Sequence, residues 1–269
     1  MKDNKTNVKA IFTGFATIAI PVIFIAAVLI YIYVLGNPAN FEKGNTANHP
    51  LPGNYLGTVY KGGVIVPILM TLLLMVITFV IERFITIQRA KGKGRVNAFI
   101  ARVHQLLSKE DIESAKKECD RQRGSVANVV RAGLNKYEEM AADKVLNKDQ
   151  KMVAIKQEFE EATSLELPML EQNLVILATI ASIATLMGLL GTVLGMIKAF
   201  AALATAGAPD AIALANGISE ALINTALGIG TSALAIIFYN YFTTQIDKMT
   251  YSIDEAGVAI VQYFAARHN

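Results

Sequence analysis

Tryptophan is absent from the 269 residues, cysteine occurs once, and proline only seven times. A lone thiol, Cys119, cannot close a bridge within the chain, which excludes a disulfide scaffold. Charge is scarce too: 17% of residues are Asp, Glu, Lys or Arg, against about 25% in a soluble domain. The net charge is only +3, and the bases are not interleaved with stacking aromatics, so nucleic acid is not an expected partner. His49, His104 and His268 fall in separate segments, and neither a metal site nor a cofactor is expected. What the chain does have is apolar surface, 53% hydrophobic with a mean hydropathy of +0.41, gathered in blocks. That is a membrane composition.

Four stretches lack formal charge. They are 32 residues between Lys9 and Glu42 (apolar core Ile11 to Leu35), 20 from Gly62 to Ile81, 26 between Glu171 and Lys198, and 26 between Glu220 and Asp247. About 20 helical residues span the hydrocarbon layer, so all qualify. The second is short and borrows the stems of Glu82 and Arg83 by snorkelling. The alternating strands of a membrane barrel are absent. The expected fold class is an all-α integral membrane protein with four transmembrane helices and a helical cytoplasmic insertion. The first run exceeds the about 7–15 apolar residues of a signal-peptide core and reads as a retained helix, kinked at Pro21.

Residues 83–102 hold six bases (Arg83, Arg89, Lys91, Lys93, Arg95, Arg102) and no acid, which places that side in the cytoplasm. Lys2, Lys5, Lys9 and the C-terminus then also lie inside, and 36–61 lies outside as a loop without a site. Tyr31, Tyr33, Tyr55 and Tyr60 suit an outer aromatic belt, and Phe238, Tyr239, Tyr241 and Phe242 an inner one. The segment 88–172, with 16 bases and 14 acids, has helical periodicity. Val96, Phe99, Ile100, Val103, Leu106 and Leu107 share a face, as do Val126, Val129, Val130, Leu134 and Tyr137, and again Met152, Ile155, Phe159 and Ala162. Ser108 with Asp111 predicts a helix start, Gly124 an end, and Pro168 a kink.

Small residues mark the last two membrane helices. Ala184, Gly188 and Thr192 form one row on the third, and Gly191, Gly195 and Ala199 another, which would admit two close neighbours. Thr225, Gly228, Ser232 and Ala235 form one row on the fourth. The helices are joined by a turn around Gly207, Ala208, Pro209 and Asp210. Thr192 and Thr225 lie equally far from that turn, about 16 residues or about 24 Å of rise, near mid-membrane. Lys198 and Glu220 pair nearer the outer face. Glu220 is an intramembrane carboxylate, a residue type that is rare there and usually functional.

The stretch Leu177-Ala178-Thr179-Ile180, then Gly188-Leu189-Leu190-Gly191-Thr192-Val193-Leu194-Gly195-Met196, resembles the second membrane helix of the MotA/TolQ/ExbB proton-channel family. Ile218-Ser219-Glu220-Ala221-Leu222-Ile223-Asn224-Thr225-Ala226-Leu227-Gly228 resembles its third, closed by Tyr239-Asn240 as in family members. The resemblance runs from about residue 62 to 265, with specific motifs only in 177–240, and favours the ExbB/TolQ branch. It implies a homo-oligomeric ring, commonly a pentamer, in the bacterial inner membrane. The ring surrounds an ExbD/TolR-like single-helix partner that carries the protonatable aspartate. Proton flow is converted into mechanical work through a TonB- or TolA-like protein. By matched position, Thr192 and Thr225 are pore-lining threonines and Glu220 is the family's glutamate. Lys198, Asn224 and Thr185 are candidate modulators of the path, and Gly188, Gly191, Gly195, Gly228 and Ser232 are packing positions. Two departures stand out: the family usually has three membrane helices, and often a proline where Thr185 stands.

The expected organisation is 1–60 (an extra membrane helix at about 11–35 with its outer loop), 61–87 (second membrane helix), 88–172 (cytoplasmic helical region), 173–243 (channel hairpin) and 244–269 (cytoplasmic C-terminal helix). A sodium- or proton-driven stator for motility and a non-conducting membrane scaffold are the alternative functions. The two helix pairs share no repeated motif of the kind a secondary transporter uses. No nucleophile, metal set or acid–base pair suggests an enzyme.

Overall fold

The protein is described here by a computed structural model covering residues 3–46, 48–204 and 210–267, with side chains in the first helix from Phe15 onward. Lys2, the side chains of Lys5 and Lys9, the turn residues Gly207, Ala208 and Pro209, and His268 lie outside the described residues. The fold is all-helical: α1 (Asp3–Leu29), α2 (Tyr55–Tyr60), α3 (Ile65–Lys91), α4 (Val96–Ser108), α5 (Ile112–Gln122), α6 (Gly124–Ala142), α7 (Lys148–Glu171), α8 (Leu174–Leu203) and α9 (Ala211–Arg267). Four helical stretches among the described residues are long and apolar enough to cross a membrane. They are Phe15–Leu35, Ile65–Ser108, Lys148–Leu203 and Ala211–Arg267. Two compact units result, one from residues up to Val80 with Val175–Tyr239, the other from Ile81–Leu174 with residues from Asn240 on.

In the first unit α1 runs uninterrupted through Pro21. The departure from α geometry comes later, as a π-helical stretch at Ile30–Leu35 where the Gly36 N–H reaches back to the Tyr31 carbonyl. A missing N–H alone does not stop a helix whose neighbours can compensate. The segment after α1 is ordered by asparagine side chains. Buried Asn40 donates to the Val34 and Leu35 carbonyls at 2.8 and 3.0 Å, and accepts from Asn54 Nδ2 at 3.1 Å. Tyr31 stacks on Tyr60 with centroids 4.7 Å apart and donates to its carbonyl. α3 opens after Gly62 and Gly63 and carries Pro67 in its first turn, where the missing N–H costs nothing.

In the second unit α4 to α7 and the C-terminal part of α9 enclose a core of Phe99, Val103, Val129, Val130, Leu134, Ile155, Met249, Ile260 and Phe264. Val96, Leu106, Met152 and Ala162, assigned to the same faces, are only half-buried. Ser108 does not start a helix: it is the last residue of α4, and Asp111 caps α5 by accepting from the Ser114 N–H at 2.9 Å. α5 ends at Gln122, and the turn into α6 is made by Arg123 at φ 58° together with Gly124 at φ 86°. α7 starts with a reciprocal Asn147–Gln150 capping box. It passes through Pro168 and breaks at Gln172–Asn173, where Asn173 adopts φ 58°.

Arg83 departs most from expectation. It does not snorkel; it is 0% exposed. Its guanidinium donates to Glu82 at 2.5 and 2.6 Å, to the Leu170 carbonyl at 3.1 Å and to the Gln172 carbonyl at 3.2 Å. Asn173 Nδ2 donates to Glu82 at 3.2 Å. A charge at the end of an apolar run is here the cap for the end of α7. Likewise α9 does not close at Tyr239–Asn240; it continues to Arg267, although the division between units falls there.

Candidate ion path in the helical hairpin

α8 and α9 touch backbone to backbone. A Cβ added at Gly228 falls 2.6 Å from the Ala184 carbonyl oxygen and 2.8 Å from Gly188 Cα. One added at Gly195 falls 2.7 Å from the Gly217 carbonyl oxygen, and one at Gly191 falls 2.3 Å from Asn224 Cβ. Both small rows of α8 therefore face the same neighbour within this chain, which corrects the expectation of two. The residues are three and four apart, and one face of a helix admits both spacings. Ser232 Oγ donates across to the Ala181 carbonyl at 2.5 Å.

The mirror register of the hairpin brings Lys198 Nζ to 2.6 Å from Glu220 Oε1. The pair is lopsided, with side-chain exposure of 56% for lysine and 12% for glutamate. Glu220 is covered by Gly63, whose φ is +74° and whose added Cβ would stand 2.4 Å from Oε1. Neither a side chain at that φ nor its volume fits. One turn along α9, Asn224 is 0% exposed and donates through Nδ2 to the Gly62 carbonyl at 2.8 Å. Its Oδ1 is buried and has no partner among the described residues.

Thr225 lies beside Gly188, where an added Cβ would meet its Cα at 3.5 Å. Thr192 sits one turn further along α8. Both are half-buried, and Thr185 is exposed. Thr192 Oγ1 donates to the Leu189 carbonyl at 2.6 Å and Thr225 Oγ1 to the Ala221 carbonyl at 3.1 Å. Each hydroxyl has committed its only proton to its own helix, and its oxygen can still accept. No other titratable side chain stands near these threonines on α8 or α9: the sequence from Gln172 to Ile197 and from Ala221 to Ile246 holds no Asp, Glu, Lys, Arg or His.

Sequence reasoning missed the Gly62–Gly63 step that covers Glu220 and pairs Asn224. The glycine doublet just before an apolar helix was its only signal. The extra N-terminal segment joins the same place, since Tyr31 holds the Tyr60 carbonyl and Lys61 Nζ donates to the Thr46 carbonyl at 2.9 Å.

The MotA/TolQ/ExbB proton channel family matches residues 121–255, which contain Thr192, Lys198, Glu220, Asn224 and Thr225. The chain is 33% identical over 124 residues to the Tol-Pal system protein TolQ of Pseudomonas aeruginosa, covering 46% of this chain and 54% of that one. It is 38% identical over 88 residues to TolQ of Haemophilus influenzae (33% and 39% covered) and 35% identical over 86 residues to the biopolymer transport protein ExbB of Pseudomonas putida (32% and 26% covered). The chain thus spans about half or less of the length of these relatives.

Proposed function

The chain belongs to the MotA/TolQ/ExbB proton channel family, and from that premise we propose that it is the ring-forming subunit of an inner-membrane proton channel that turns the proton-motive force into mechanical work on the envelope. The ring, a pentamer, encloses the single helix of an ExbD/TolR-like partner, and the work passes to a TonB- or TolA-like protein. Residues 88–172 and both termini are cytoplasmic; residues 36–61 are outside. Residues 173–243 form the channel hairpin.

One observation carries this reading. Thr192 and Thr225 spend their hydroxyl protons on carbonyls of their own helices and keep oxygens able to accept, at a depth where α8 and α9 hold no Asp, Glu, Lys, Arg or His. Such a surface suits a protonated carboxyl brought by another helix, whose O–H needs an acceptor in a low-dielectric setting. Glu220, shielded by Gly63 and held by Lys198, tunes the field at the outer end, with Asn224 and Thr185 as modulators. The driving force is adequate, since one charge crossing yields about 2.3 kcal/mol per 100 mV.

The test replaces Thr192 or Thr225 with Val. Each hydroxyl donates only to a carbonyl of its own helix, so valine removes that local bond and keeps the volume, and the ring should persist by native mass spectrometry. Proton flux into liposomes containing ring and partner should collapse. Flux that survives both changes returns the threonines to packing and the chain to a scaffold. Cysteine labelling at positions 108 and 45 tests the topology; labelling of 108 from outside inverts it.

A further inference from the structure

The end of α3 and the α5–α6 turn are fastened backbone to backbone. Lys93 N–H donates to the Gln122 carbonyl at 2.6 Å and Gln122 Nε2 to the Lys91 carbonyl at 2.9 Å. A Cβ on Gly92 would lie 2.0 Å from the Arg123 carbonyl oxygen, and one on Gly124 would lie 2.3 Å from the Ala90 carbonyl oxygen. This junction gathers Arg89, Lys93 and Arg123 around one cavity of about 480 Å³, whose remaining walls are Phe84, Ile85, Gln88 and Gly92. No acid lines it.

Arg102, Lys116, Arg121 and Arg131 of the same unit each meet a carboxylate, whereas Arg89, Lys93 and Arg123 meet none among the described residues. Arg123 also has φ 58° and ψ 175°, a region left almost entirely to glycine. Glycine would serve the turn without strain, so the arginine is held there at a cost, and what it adds is a cationic side chain on a residue of the cavity wall. It is also the N-cap of α6 and gives no side-chain cap, which leaves the positive end of that helix dipole beside the cavity. Phe84 and Ile85, one turn earlier on α3, are 50% and 45% exposed.

We propose that Arg89, Lys93 and Arg123 form a binding site for a phosphate-bearing anion, the headgroup of an anionic phospholipid. Three unpaired cations at the end of an apolar helix meet the charge of the headgroup, and Phe84 and Ile85 offer apolar surface to its acyl chain. A free phosphate has the same charge but no use for those two side chains. The site lies outside the α8–α9 hairpin and does not depend on the ion path.

Full-length protein in detergent, offered equal amounts of phosphatidylglycerol and phosphatidylcholine, should retain the former by native mass spectrometry. Each cation removed should lower that retention about fivefold, measured with Arg123→Gly and with the Arg89→Gln, Lys93→Gln double variant. Arg123→Gly should melt no lower than the parent, because glycine accepts the backbone, so its lipid loss is not a folding defect. Excess inorganic phosphate should not displace the lipid. Equal retention of both lipids, retention unchanged in the variants, or a lower melting point for Arg123→Gly would each overturn the proposal. Displacement by inorganic phosphate as complete as by added phosphatidylglycerol would overturn the lipid assignment in favour of a free phosphate.

Discussion

Asn224 and Gly62 stand 162 positions apart and are joined by a 2.8 Å hydrogen bond from amide Nδ2 to a buried carbonyl. The bond fixes the step before α3 against α9, and with it the glycine that covers Glu220. Asn224→Ala would leave the Gly62 carbonyl without its donor. A buried unpaired group costs about 1–3 kcal/mol, so thermal melting in detergent should fall measurably. An unchanged melting point would mean that Gly62 takes another donor.

This contact also marks how far the sequence could be read. The four membrane runs, the hairpin and the mutual depth of Lys198 and Glu220 were legible because charge-free length and helical rise are local properties. The apolar faces of α4, α6 and α7 were legible for the same reason. Arg83 was not, because an arginine at the end of an apolar run reads as snorkelling until the carbonyls of α7 are seen around it. The partner of Asn224 and the glycine that covers Glu220 lie more than 150 positions away in the sequence, and no periodicity reports them. The non-glycine residues at the helix breaks, Asn173 and Arg123, were not legible either: they adopt positive φ at a cost which tertiary contacts offset.

Lys198 and Glu220 should respond unequally, and differently by readout. Glu220→Gln keeps an acceptor for the Lys198 ammonium and keeps the volume beside Gly63, so assembly should hold while proton-driven activity drops. Lys198→Ala leaves a carboxylate of 12% side-chain exposure without its cation. That burial was not legible in the sequence, from which only the shared distance of Lys198 and Glu220 from the turn could be read. Lys198→Ala should therefore lower stability more than Glu220→Gln, and transport less. Melting points that order the other way would show that Glu220 is hydrated in the assembled ring.

Gly228 and Gly230 are two residues apart and should behave as opposites. An added Cβ at Gly228 meets Ala184 and Gly188 backbone atoms, whereas at Gly230 nothing lies within 4 Å. Gly228→Ala should cost about 1–3 kcal/mol by overpacking and pull Ser232 away from the Ala181 carbonyl. Gly230→Ala should be neutral or gain up to about 1 kcal/mol of helix propensity. Thermal melting of the two single variants decides. Equal losses would mean that Gly230 packs against a neighbouring copy.

Arg83 should prove to be coupled to Glu82 and not separable from it. Arg83→Met removes the donor to the Leu170 and Gln172 carbonyls and strands a carboxylate whose side chain is 11% exposed. Breaking a buried pair from one side costs about 3–5 kcal/mol. Arg83→Lys should rescue little, since a point charge cannot reach the carboxylate and two carbonyls in the planar fork that guanidinium provides. The Glu82→Gln, Arg83→Met double variant should recover part of the loss, because the stranded charge is gone. It should not recover all of it, because the α7 carbonyls still lack a donor. A double-mutant cycle on thermal unfolding measures this. If the single losses add to within about 0.5 kcal/mol, Glu82 owes nothing to Arg83, and the arginine acts only as a cap on α7.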